Sequence, residues 1–129
     1  MPGAWPYFLQ ALNWAKLHGI HTIVDLHGAP GSQNGYDNSG QRTDDPTWGD
    51  DNTSVQRTLD IIRFIAEKAG GMIDVLELLN EPTAFRPGIQ DVLTGYWQDG
   101  YNVVRQAAGN NIKIMIGDGF LGVDVCVLS

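Results

Sequence analysis

The stretch IDVLELLNEP, residues 73–82, joins an apolar run to a polar turn, and the rest of the chain is interpreted around it. The run is apolar on both faces apart from Asp74 and Glu77, which is typical of a parallel strand covered on both sides. Asn80 and Glu81 follow at its carboxyl end, before a proline. A carboxylate beside a carboxamide at the end of a buried strand suits a group that donates a proton to a substrate.

Glu81 is therefore the first candidate for a general acid/base. We expect partial burial at the strand end to favour its protonated, proton-donating form. Asn80 can donate and accept hydrogen bonds to a sugar hydroxyl without competing for that proton. The alternative is that Asn-Glu-Pro is only a strand-ending turn, because Asn and Pro both favour turns.

A second informative stretch is DLHGAPGSQNGYDNSG, residues 25–40, which follows a β-branched run. Asp25 and His27 are two residues apart, so in a strand they point to the same side. His27 is a candidate for binding a substrate hydroxyl or orienting a carboxylate. The alternative is a histidine satisfied by a neighbouring buried aspartate.

The polar segment from Gly28 to Asn52 is long for a loop in a compact domain, and such loops are usually functional or disordered. Tyr36 and Trp48 within it favour function, because sugar sites often stack rings on aromatic faces and disordered linkers usually lack aromatic residues.

Hydrophobic spacing predicts three helices and three strands that alternate along the chain. The predicted helices are 6–18, 53–69 and 91–108, and the predicted strands are 20–26, 72–79 and 112–116. Asn52 or Thr53 is expected to cap the second helix. This order is typical of an α/β fold with a parallel sheet.

Polar candidate residues follow the carboxyl end of each predicted strand: His27, then Asn80 and Glu81, then Asp118. Ligands bind at that edge of parallel α/β sheets. The pattern as a whole predicts a functional site there.

Composition excludes several classes of function. The net charge of −7 argues against nucleic-acid and anionic-membrane partners, and no apolar run reaches the length of a membrane span. No secretion signal is visible, and the single Cys126 excludes an internal disulfide framework. The spacing of His18, His21 and His27 matches no zinc motif, and residues 28–32 are not a phosphate loop. No metal or cofactor is therefore expected.

These stretches resemble the fungal exo-β-1,3-glucanases of glycoside hydrolase family 5, which are retaining enzymes on a (β/α)8 TIM barrel. Residues 25–40 resemble the segment after the third barrel strand, 78–82 the end of the fourth strand, and 113–120 the fifth. The resemblance implies an incomplete barrel, roughly strands 3 to 5 with their helices. It implies one partial catalytic domain over residues 1–129, in which 121–129 form a divergent tail.

The resemblance also assigns roles to six side chains around a neutral β-glucan or oligosaccharide substrate. Glu81 is the expected acid/base, Asn80 binds the 2-hydroxyl of the sugar being cleaved, and His27 lines the same subsite. Tyr36, which is more often Phe in the family, forms an aromatic wall. Asp37 and Asn38 hydrogen-bond the glucosyl unit. The family acts outside the cell or in the cell wall, and the sequon at Asn52 is compatible with that setting.

The family's nucleophile is a Glu at the end of the seventh strand, beyond the segments that this chain resembles. Glu77 has the strand parity of Glu81, but four residues of strand separate their backbones by roughly 13 Å, too far for the pair of a retaining enzyme. We therefore expect this chain to carry the acid/base without its nucleophile and to be inactive alone.

Two other interpretations and one physical consequence remain open. In the first, the chain is a non-catalytic glucan-binding fragment or a non-functional truncated fragment. In the second, it is a complete small α/β domain whose Asn-Glu-Pro is only a turn. If it is a barrel fragment, its open sheet edges predict self-association or marginal stability.

Overall fold

The computed structural model describes residues 3–122, which form three helices, three strands and two single 3-10 turns. The elements in chain order are α1 (Ala4–Leu17), β1 (Ile23–Asp25), a turn at Asp37–Ser39, α2 (Asn52–Ala69), a turn at Gly70–Met72, β2 (Val75–Glu77), α3 (Ile89–Ala108) and β3 (Lys113–Met115). The predicted order is confirmed.

The three strands form one parallel sheet in the order β1-β2-β3. Ile23 pairs with Val75, and Val75 pairs with Lys113, so the strands start in register. In a (β/α)8 barrel, strands that follow one another in the chain lie side by side and parallel, and a helix connects each strand to the next. The fold is a partial (β/α) barrel, as predicted.

The strands are shorter than predicted, with three paired residues each instead of five to eight. The apolar runs extend beyond the paired residues. The predicted strands were too long because hydrophobicity indicates burial and not which residues are hydrogen-bonded to a neighbouring strand. The cap of α2 is also different from the prediction. Asp51, not Asn52 or Thr53, accepts hydrogen bonds from two helix amides at its Oδ1.

The core lies between the sheet and helices α2 and α3. Leu76, Leu78 and Leu79 are fully buried, together with Ile62 of α2. The hydroxyl of the buried Tyr96 on α3 donates a 2.7 Å hydrogen bond to the carbonyl of Leu78, which satisfies a polar group inside this core. This hydrogen bond holds α3 against the carboxyl end of β2, just before the turn that carries Asn80 and Glu81.

Helix α3 packs closely against the chain just after β2. A Cβ on Gly100 would lie 2.7 Å from Cδ1 of Leu78. This contact explains why a helix-weakening glycine stands in the middle of α3.

Candidate active site

The long loop between β1 and α2 lies against the turn that follows β2. Nδ2 of Asn38, in the 3-10 turn of the loop, donates a 2.6 Å hydrogen bond to Oε2 of Glu81. The two residues are 43 positions apart in the sequence. The structure therefore brings together two of the predicted site residues, a carboxylate and an amide that donates to it.

Glu81 has an unusual backbone. Its φ of 44° is in the left-handed region, which costs a non-glycine residue roughly 1–3 kcal/mol and persists only where the surroundings enforce it. Its side chain is exposed in the described part of the chain, so the expected partial burial is wrong here. The apolar residues of β2 precede it, but the carboxylate itself projects beyond the core.

Two buried amides hold the Asn-Glu turn. Nε2 of Gln33 donates to the carbonyl of Asn80 at 2.9 Å and to that of His27 at 3.0 Å. Nδ2 of Asn34 donates to the carbonyl of Glu81 at 3.1 Å. Sequence reasoning missed Gln33 and Asn34, because a polar side chain in a polar loop has no local signal of burial. Their partners lie 47 residues away and are visible only in the fold.

Three further titratable groups lie on the same face of the sheet. Nδ1 of His27 and Oδ2 of Asp25 are 2.6 Å apart, which confirms that these side chains share a side. Asp25 pairs in register with Glu77 on β2. Partial burial raises the pKa of Glu77, and the charges of Asp25 and Glu81 raise it further, while His27 opposes them. The carboxylates therefore repel one another across the strand ends.

Asn80 provides an unused donor beside Glu81. Its Nδ2 is buried and has no hydrogen-bond partner among residues 3–122. Buried polar atoms are nearly always paired, so this amide is an exception at the carboxyl end of β2.

Tyr36 and Asp37 face a neighbouring hollow of about 590 Å³, which Asn34 and Phe85 also line. Tyr36 is 57% exposed and Phe85 is 63% exposed, so both aromatic residues are largely open to solvent. The carboxylate of Asp37 lies 3.5 Å from Arg42. Asp37 and Asn38 thus diverge: only Asn38 reaches Glu81. Phe85 is a third residue that sequence reasoning missed, although an aromatic residue just after Asn-Glu-Pro was a usable signal.

Residues 7–124 match the cellulase family, glycosyl hydrolase family 5. This chain belongs to glycosyl hydrolase family 5. It is 42% identical to glucan 1,3-beta-glucosidase 2 of Wickerhamomyces anomalus over 125 residues, which are 92% of this chain and 28% of the relative. It is 41% identical to the glucan 1,3-beta-glucosidase of Candida oleophila, over 95% of this chain and 30% of the relative. The chain thus spans less than a third of the length of these relatives.

The fold is also similar to a solved structure. The crystal structure of AoRut superposes with a TM-score of 0.77 at 21% sequence identity, covering 96% of this chain and 41% of that one. At this identity the similarity supports the fold alone, and it agrees with the barrel segment described above.

Trp48 does not present its ring at the candidate site, contrary to the expectation from its place in the loop. It is fully buried, its indole nitrogen donates to Oγ1 of Thr58 at 3.0 Å, and its ring packs edge-on against Tyr96. Its size and apolar character anchor the loop to α2 and α3 instead of forming a sugar platform.

Asp118 follows β3, as expected, and closes a local turn by accepting from the amide of Phe120 at 2.9 Å. Among residues 3–122, no group of three or more His, Cys, Asp or Glu side chains is arranged to hold a metal ion. None of the helices in this range is long and apolar enough to cross a membrane. The predicted divergence of residues 121–129 falls mostly on positions 123–129, which lie outside the described residues.

Proposed function

We propose that this chain is part of a retaining glycosidase that removes glucose from the ends of β-1,3-glucan, with Glu81 as the acid/base. The hydrogen bond from Asn38 to Glu81 carries this proposal, because it orients one carboxylate oxygen and leaves the other to meet a substrate. The strained backbone of Glu81 supports it, as do the 42% and 41% identities to two proteins named as glucan 1,3-beta-glucosidases.

In this mechanism Glu81 protonates the glycosidic oxygen while a second carboxylate attacks the anomeric carbon. Glu81 then removes a proton from the water that cleaves the glycosyl-enzyme bond and releases glucose. Neither Asp25 nor Glu77 suits the role of nucleophile, because both lie within paired strands and not beyond the strand ends. The nucleophile is proposed to come from the whole protein outside these 129 residues, and the chain alone is expected not to turn over substrate.

The neighbouring side chains have roles in sugar binding in this proposal. The side chain of Asn80, a residue that is only partly buried, binds the 2-hydroxyl of the sugar being cleaved, and the hydrogen bond to Asp25 orients the His27 ring toward the same unit. The exposed ring of Tyr36 provides an apolar wall, and Asp37 and Asn38 bind the glucosyl hydroxyls. No cofactor takes part. The substrate is a polymer of the cell wall, so we propose an extracellular or wall-bound protein.

A second candidate function is glucan binding without turnover. The exposed aromatic residues Tyr36 and Phe85 near the turn favour it, since aromatic rings bind sugar whether or not a nucleophile is present. Calorimetric titration of the 129-residue chain with laminari-oligosaccharides tests this function. Binding that Asn80→Ala weakens supports it, whereas no heat at millimolar sugar excludes it.

A chimaera tests the catalytic role. The matching segment of the Wickerhamomyces anomalus relative is replaced by this chain, and glucose release from laminarin is measured with Glu81 and with Glu81→Gln. We expect a loss of about 10²- to 10⁴-fold for the variant, the usual contribution of general acid/base catalysis. Glu67→Gln, on the exposed face of α2, is the matched control.

Substrates with an acidic leaving group separate the acid role from other roles of Glu81. A 2,4-dinitrophenyl glucoside needs no proton to release its phenolate, so its bond cleavage should survive the substitution far better than that of laminarin. Equal losses on both substrates would argue against an acid/base role for Glu81.

A further inference from the structure

The backbone of Glu81 is held at both of its flanking peptide groups. A change in the φ of a residue rotates it relative to the peptide group before it, and a change in its ψ rotates it relative to the peptide group after it. Gln33 donates to the carbonyl of Asn80, in the first peptide, and Asn34 donates to the carbonyl of Glu81, in the second. Two consecutive side chains therefore restrain the two rotations that give Glu81 its positive φ.

Asn34 also sets the orientation of the amide that contacts the carboxylate. Its Nδ2 donates to Oδ1 of Asn38 at 3.1 Å, and this bond holds the acceptor oxygen of the Asn38 amide on the side of Asn34. A carboxylate only accepts hydrogen bonds, so the other end of the Asn38 amide, Nδ2, must face Glu81. The same asparagine thus controls both the backbone of Glu81 and the donor to its side chain.

Burial makes this arrangement specific. Gln33 is 0% exposed and Asn34 is 6% exposed, so solvent does not compete for their hydrogen bonds. Gln33 is further fixed by the amide of Ala29, which donates to its Oε1 at 3.0 Å, and Asn34 by the amide of Tyr36, which donates to its Oδ1 at 2.9 Å. Neither side chain is free to rotate.

We propose that Gln33 and Asn34 are positioning residues that set the direction of the Glu81 carboxylate. They act through the backbone of the Asn-Glu turn and through Asn38, without touching substrate. The proposal rests on the acid/base function of Glu81 for its catalytic meaning, but its geometric content is independent of that function.

The geometric content is tested by NMR on the 129-residue chain. The one-bond Cα–Hα coupling of Glu81 distinguishes positive from negative φ, and hydrogen exchange at the Asn38 side chain reports its bonds. Asn34→Ala and Gln33→Met should each shift the coupling to the negative-φ value. Asn34→Ala should also raise the exchange rate at Asn38 by about ten-fold or more, since that rate follows local opening.

Thr58→Ala is the matched control. Thr58 lies on α2 and is fully buried, and its hydroxyl accepts a hydrogen bond from Trp48, which is at the other end of the loop from Gln33 and Asn34. It should lower global stability and leave both signals of the Glu81 turn unchanged. Equal changes in Thr58→Ala, or unchanged signals in Asn34→Ala, would overturn the proposal. If Asn34→Ala does not fold, Asn34→Ser replaces it. Failure of both to fold, with Thr58→Ala folded, assigns Asn34 to the fold itself and also overturns it.

The catalytic content is tested in the chimaera. Asn34→Ala should lower kcat by about ten-fold or more while KM stays within about two-fold, because an interaction that only aims the acid acts on the transition state. If Glu81→Gln is harmless but the NMR signals change as expected, the acid/base function fails and the positioning stands. If Glu81→Gln is severe and kcat is unchanged in Asn34→Ala, the positioning role fails alone.

Discussion

Nδ2 of Asn38 lies 2.6 Å from Oε2 of Glu81, so a residue of the long loop after β1 is hydrogen-bonded to the carboxylate that follows β2. The loop is therefore part of the candidate site and not only a connection between β1 and α2. Removing this donor leaves the carboxylate free to rotate, because its strained backbone carries the side chain beyond the core and into solvent.

Asn38→Ala should lower kcat/KM for laminarin in the chimaera by about 10- to 100-fold, the range expected for one hydrogen bond to a charged group. Initial rates of glucose release provide the measurement. Asn102→Ala, on the exposed surface of α3, should leave the rate unchanged. A loss below two-fold for Asn38→Ala would mean that the hydrogen bond does not contribute to catalysis.

Glu77 makes folding stability depend on pH. Its pKa is raised in the folded chain above its ordinary value of 4.5, so the folded state holds the proton more tightly than the unfolded state. The contribution of Glu77 to folding stability is therefore fully present below pH 4.5. It is lost as the pH rises through the pKa that Glu77 has in the folded chain. Glu77→Gln should therefore raise the urea midpoint at pH 7 and leave it nearly unchanged at pH 4.

The control for this prediction is Glu67→Gln, which removes an exposed carboxylate from α2. Its urea midpoint should change little at either pH. A Glu77→Gln variant that is less stable at pH 7 than the parent chain would show that the carboxylate is stabilised by its surroundings and contradict the raised pKa.

The two glycines inside α3 should respond in opposite directions to alanine. A Cβ on Gly95 meets nothing within 4 Å, so Gly95→Ala should stabilise the chain by about 0.5–1 kcal/mol through helix propensity. A Cβ on Gly100 overlaps Leu78, so Gly100→Ala should cost about 1–3 kcal/mol by overpacking the core.

Urea unfolding of both variants measures this pair, and each serves as the control for the other because they share one helix. Equal stabilisation by the two substitutions would show that Leu78 moves aside without cost, and the close approach of α3 to β2 would then have no energetic importance.

The outer strands of the sheet should mediate self-association. β1 and β3 each pair on one side only within residues 3–122, and Ile23 on β1 is 64% exposed. Unpaired strand edges recruit other strands, and a lysine on an edge suppresses such pairing. Sedimentation velocity should show concentration-dependent oligomers of the 129-residue chain, and Ile23→Lys should reduce them.

Ile20→Lys separates edge pairing from general stickiness, because Ile20 is 60% exposed but precedes the paired residues. It should reduce association less than Ile23→Lys. A parent chain that stays monomeric at all concentrations and unfolds in one sharp urea transition would contradict the prediction.

The order of helices and strands could be predicted from the sequence because hydrophobic spacing is a local property. The apolar run of residues 73–79 and the stripe of α2 show burial without reference to any partner. The predicted strand placed Asn80 and Glu81 at its carboxyl end, and the alternation of side chains along a strand placed Asp25 and His27 on the same face of the sheet. Their sugar-binding and catalytic roles stay predictions.

Other features depend on contacts between residues far apart in the chain. Nothing near Trp48 distinguishes a sugar platform from an anchor, and only the position of Thr58 on α2 makes it an anchor. The cap at Asp51 and the exposure of Glu81 likewise depend on where the loop and the core end.

The amino-acid order alone thus determined the alternating elements, the parallel sheet and the edge at which polar groups gather. Only the tertiary structure decided that Gln33 and Asn34 hold the two peptides of Glu81, and that Asn38 rather than Asp37 meets its carboxylate. The physical reason is range. Hydrophobic periodicity depends on residues that are close together in the sequence. The hydrogen-bond partner of a buried side-chain amide can lie far away in the sequence, and only the fold brings the two together.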